Sequence, residues 1–95
     1  MSLVEKLEDF AGALTSATFA PDEYDPQGYA TYKSNMDDLR ALWAEIRARL
    51  KKDVDKVEFV DIKLQRAFSA FATGEKKTGQ LAIWAIYNLQ VTKLR

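Results

Sequence analysis

The fold turns on residues 29–73, YATYKSNMDDLRALWAEIRARLKKDVDKVEFVDIKLQRAFSAFAT, a run of 45 residues with neither Gly nor Pro. Apolar side chains recur in it at Tyr29, Tyr32, Met36, Leu39, Trp43, Ile46 and Leu50, in alternating steps of three and four. That spacing is the stripe of an amphipathic helix. The same frame resumes at Val57, Val60, Leu64, Ala67 and Phe71, and Asp53 is the only residue that breaks it.

Two structures satisfy this pattern. One uninterrupted helix would be about 68 Å long, and it would require an elongated or oligomeric protein, because a compact chain of this size has a radius of gyration of about 12 Å. Alternatively the chain turns at Lys52 to Asp55, with Asp53 or Asp55 capping a new helix and Glu58 completing a capping box behind Asp55. The turn is the expected structure, because it lets both apolar stripes meet in one small core.

Upstream, Ser2 followed by Glu5 forms a capping box, and Leu3, Leu7, Phe10 and Leu14 share one face of a first helix reaching about Ser16. Pro21, Asp22, Glu23, Asp25 and Pro26 then break the periodicity. Asp25 before Pro26 is one start signal for the second helix, and Ser34-Asn35-Met36-Asp37 is another. Downstream, Gly74 is a helix stop, and a last helix beginning at Thr73-Gly74-Glu75 or Thr78-Gly79 is expected to run to the C-terminus. Continued that far, it carries a broad face of Ile83, Trp84, Tyr87, Val91 and Leu94, and a second face of Ala82, Ile86 and Leu89. Two apolar faces imply a central position or contact with another chain.

At 95 residues and 10.8 kDa the chain makes one domain. With no Cys and no His it has no disulfide, thiolate nucleophile, imidazole base or Cys/His zinc site. The apolar run Phe10 to Ala20 is preceded by Glu5, Glu8 and Asp9, where a signal peptide carries positive charge, and no run approaches a membrane span. A cytoplasmic setting without membrane contact is the expectation.

Local motifs add little chemistry. Residues 74–79, GEKKTG, have the outer glycines of a phosphate loop but continue with Gln80 and Leu81 instead of Lys and Ser or Thr, and they follow a helix. Asp22, Glu23 and Asp25 lack the alternation and distant Glu of an EF-hand, so they read as a solvated loop. Pro21 through Ser34 loosely resembles the loop and helix start of type III secretion needle subunits. Those subunits end with the helix that follows, whereas 69 residues follow Pro26 here, and no family is assigned.

Charge divides the chain. Residues 1–38 carry eight acids and two bases, net −6, and residues 39–95 carry twelve bases and six acids, net +6. Arg40, Arg47, Arg49, Lys51, Lys52, Lys56, Lys63 and Arg66 form a basic row of the kind that contacts phosphates, with Arg47, Arg49, Lys52 and Lys56 at its centre. Glu45, Asp53, Asp55, Glu58 and Asp61 are interleaved and weaken its field.

The combined expectation is an all-α bundle of three or four helices in one domain, residues 1–95. It is expected to be a non-enzymatic protein-interaction or assembly module that needs no cofactor or metal and pairs with itself or another protein. Ala82, Ile86, Leu89, Trp84 and Tyr87 form the expected interaction surface. Nucleic-acid binding through residues 40–66 and small-ligand binding inside the bundle are the alternatives from other classes.

Overall fold

A computed structural model describes residues 2–28 and 31–95. The apolar position assigned to Tyr29 lies outside the described residues. The described chain is all-helical: α1 (Leu3–Ala17), α2 (Tyr32–Arg49), α3 (Asp55–Ala72) and α4 (Lys76–Tyr87), followed by a 3-10 turn at Val91–Lys93. No strand occurs among the described residues, and none of the helices is long and apolar enough to cross a membrane.

The periodic stretch forms two helices. Its longest possible reading, a single rod, is ruled out by a radius of gyration of 12.7 Å and a greatest extent of 36 Å. Neither aspartate caps α3, however. Val54 occupies the cap position without a side-chain bond. Asp53 instead accepts the Arg95 amide at 2.9 Å, while the Arg95 carbonyl takes the Lys52 and Asp53 amides, both at 2.8 Å. The C-terminal segment therefore fixes the bend. Asp55 and Glu58 lie in the first turn of α3, where the helix dipole favours carboxylates.

The other termini follow from local chemistry. Ser2 Oγ accepts the Glu5 amide at 3.2 Å. Thr31 and Ser34 close a reciprocal capping box on α2, so the helix starts at Tyr32 and not at Pro26. Asp25 holds a turn instead, accepting the Gln27 amide at 2.9 Å. Gly74, at φ +82°, ends α3 in a backbone conformation that L side chains rarely adopt.

The helices form two pairs, α1 with α2 and α3 with α4, and α1 joins the pairs by also packing on α4 and the C-terminal turn. Leu7, Phe10 and Leu14 of α1 are fully buried, as are Leu39 and Ile46 of α2, Val60 of α3 and Ile83 and Ile86 of α4. Phe10 stacks on Trp43 with ring centroids 5.5 Å apart. Asn35 is buried between α1 and the acidic loop, donating to the Ala13 carbonyl at 2.9 Å and accepting the Tyr24 hydroxyl at 2.6 Å. Burial, with a smaller effect of Tyr32, pushes the Tyr24 phenol up to about 12.

The last helix departs most from expectation. It ends at Tyr87, and Gln90 takes a left-handed conformation at φ 57° that turns the chain before Val91. Val91 and Leu94 are buried from that turn and not from the helix. The broad face expected of α4 is corrected accordingly: Ala82, Ile83 and Ile86 point into the core, and Trp84 and Tyr87 are exposed.

Candidate interaction surface

The α4 sequence sorts its side chains by the core it must complete. Gly79, Ala82, Ile83 and Ile86 are buried. At Gly79 a Cβ would stand 2.4–2.8 Å from ring atoms of Phe71, so α3 and α4 approach through a position only Gly fills. Leu81 and Trp84, turned the other way, are 61% and 44% exposed, and Tyr87 is 41% exposed. Trp84 and Tyr87 meet edge to face at 5.4 Å. Gln80 anchors the helix by donating to the carbonyls of Thr18 at 3.0 Å and Ala20 at 3.3 Å.

Of the residues assigned to an interaction surface from sequence, Ala82 and Ile86 are therefore core, and Leu89 is half-buried against it. Trp84 and Tyr87 remain at the surface. Sequence reasoning missed Leu81, and it missed the outer face of α3, where Phe59 is 38% and Ile62 51% exposed. The α3 pair could have been found, because Phe59 and Ile62 lie outside the stripe of Val57, Val60, Leu64, Ala67 and Phe71.

The α3 outer face is not flat. Asp61, Ile62, Gln65, Arg66, Ser69 and Ala70, with Glu75 and Thr78, line a shallow, open groove of about 550 Å³. Glu58 and Arg66 stand one helical step either side of Ile62, and neither forms an ion pair among the described residues.

The basic row is dispersed. Arg47 pairs with Asp61 at 3.1 Å, Arg40 with Asp37 at 3.4 Å and Lys56 with Asp55 at 3.5 Å. Arg40 also lies 4.2 Å from the centroid of Phe68 and Lys63 5.5 Å from that of Phe59. Arg49 acts on Glu45, whose pKa it helps to lower. Lys52 sits in the bend held by Arg95. In the acidic loop, Asp22 and Glu23 both contact Lys76, at 2.9 and 3.0 Å, and these two bonds hold its ammonium above the ordinary lysine pKa. A second groove of about 590 Å³, between α1 and α2, is lined by Glu8, Asp9, Asp38 and Glu45 among other residues. No cluster of acids arranged to hold a metal ion occurs among the described residues.

No family model matches the chain, and neither the curated proteins nor the solved structures contain a match to it.

Proposed function

We propose that the chain is a non-enzymatic self-association module whose contact surface is the outer side of the α3 and α4 pair. The observation that carries this reading is the exposure of Leu81 and Trp84 on a helix whose opposite stripe already completes the core. Large apolar side chains left in water on adjacent helices are what an interface buries, and Trp and Tyr are the residues most often found to dominate one. Phe59 and Ile62 extend the apolar character onto α3.

The alternatives draw less support. Arg40, Arg47 and Lys56 each stand against an acid of the same chain, which weakens the field a nucleic acid would meet. The Tyr24 phenol is pushed away from neutrality, up to about 12, and is held by Asn35, which suits packing better than proton transfer. The module is set in the cytoplasm, since the apolar Phe10 to Ala20 run is taken up by the core, where Phe10, Leu14, Ala17 and Ala20 are fully buried.

Sedimentation of the purified chain from micromolar to millimolar concentration tests it. A mass rising above 10.8 kDa is expected, and Leu81→Ser with Trp84→Ser should lower it while helicity is kept. A mass that stays monomeric throughout overturns the reading.

A further inference from the structure

The outer stripe of α3 runs Asp55, Glu58, Phe59, Ile62, Gln65, Arg66 and Ser69, all of them exposed. Its order is acidic, then apolar, then basic. Reflected about Ile62, Glu58 exchanges with Arg66, since each is four residues away. A stripe with that property is complementary to a second copy of itself running in the opposite direction.

Resting on the self-association reading above, we propose that two copies of this chain pair through α3, antiparallel, across a two-fold axis at Ile62. Glu58 of each copy then faces Arg66 of the other. A two-fold interface places the same patch on both sides, so any charge pair it contains occurs twice. The geometry permits the contact. Four residues carry each charge about 6 Å from the crossing point, and helices packed along their i±4 ridges, with axes 8–10 Å apart, are still only about 10 Å apart at that distance. Glutamate and arginine side chains span such a gap.

Two observations favour a second copy as the occupant. First, the exposed charges of this stripe are self-complementary about Ile62, and Glu58 and Arg66, like Lys51, Lys63 and Asp38, have no ion pair among the described residues that would compete for them. Second, the groove lined by Ile62, Gln65, Arg66 and Ser69 lies on this face. The same two-fold register sets Phe59 of the second copy opposite Gln65, over that groove. Ile62 meets its own equivalent at the axis.

Charge exchange between two variants tests the register. Glu58→Arg alone places two arginines face to face, twice, and Arg66→Glu alone does the same with glutamates. Each should raise the dissociation constant by roughly tenfold or more, because like charges opposed across an interface disfavour the complex. Mixed in equal amounts, the two variants should form a heterodimer with near wild-type affinity. One chain then carries arginine at both positions and the other glutamate at both, so each facing pair is again of opposite charge. Circular dichroism of each variant checks that the exposed substitutions leave the fold intact. Variants that dimerise as tightly as wild type overturn the α3 register while self-association stands. Weakened variants that fail to recover on mixing also overturn it. A wild-type chain that is monomeric at every concentration removes both proposals together.

Discussion

Trp43 Nε1 donates a 2.7 Å hydrogen bond to Asp61 Oδ1, and the other oxygen of that carboxylate lies 3.1 Å from Arg47. One side chain of α3 thus holds two side chains of α2. The two helices pack mainly on other partners, α2 on α1 and α3 on α4, so this bridge is a principal tie across the bend at residues 50–54.

Trp43→Phe removes the indole donor together with part of the ring packed on Phe10. Trp43→Phe should destabilise the fold by about 1 to 2 kcal/mol, at the lower end for a bond to a charged acceptor, because the Asp61 side chain is partly solvated. Arg47→Ala should cost less, since its side chain is half exposed. Urea unfolding of both variants checks the order. Equal losses would assign the bridge to the ion pair and not to the indole.

The same pair shows how far the sequence could be read. The 3.6-residue period identifies α2 and α3 and their core stripes, since periodicity depends only on which side chains are buried. The bend between them is legible from size: a rod does not fit a compact chain. What holds the bend is not legible, because Arg95 meets residues 51–53 from the far end of the chain, and no local spacing encodes that contact. The face of α4 is misread for a related reason. A helical wheel that includes Val91 and Leu94 ignores the turn at Gln90, and including them rotates the inferred face by about 100°, one residue's turn at 3.6 residues per turn. The exposed Trp84 and Tyr87 then share a face with the core residue Ile83, and the core residues Ala82 and Ile86 pass for surface.

Lys6 and Glu45 give the fold an acid-sensitive contact. Lys6 is buried except for 8% of its surface and reaches from α1 to the Glu45 carboxylate on α2. The Lys6 bond, with smaller effects of Lys6 charge and Arg49, holds the Glu45 carboxyl below its ordinary value of 4.5. A depressed carboxyl pKa stabilises the folded chain above the unfolded value, and that contribution disappears as pH falls through the folded one. Wild type should therefore lose more thermal stability between neutral pH and pH ~3 than Glu45→Gln does. A melting-temperature series across that window checks it. Parallel curves would show that the contact contributes nothing.

The glycines of α1 and α4 should respond to alanine with opposite signs. At Gly12 an added Cβ meets nothing within 4 Å, so Gly12→Ala should stabilise α1 by about 0.5 to 1 kcal/mol through backbone entropy alone. At Gly79 the same methyl would stand 2.4 Å from a ring carbon of Phe71, which is buried and edge-on to Tyr32 at 6.2 Å. The overpacking cost of about 1 to 3 kcal/mol should outweigh the helical gain. Denaturant midpoints of the two variants on either side of wild type are the expected result.

Ile86 and Trp84, two residues apart, should separate folding from association. Ile86 is fully buried, so Ile86→Ala should cost about 2 to 5 kcal/mol through lost contacts and the cavity left behind. Ile86→Glu should abolish the fold, because an unpaired charge enters the core. Trp84→Glu places its charge on a surface already in water and should retain helicity, at a loss limited to its edge contact with Tyr87. Circular dichroism on Ile86→Glu and Trp84→Glu measures the first difference, and sedimentation of Trp84→Glu the second. Trp84→Glu should remain folded while its mass falls toward 10.8 kDa. If it instead unfolds as completely as Ile86→Glu, the outer face of α4 supports the fold and not a partner, and Leu81 and Trp84 lose their place in the contact surface.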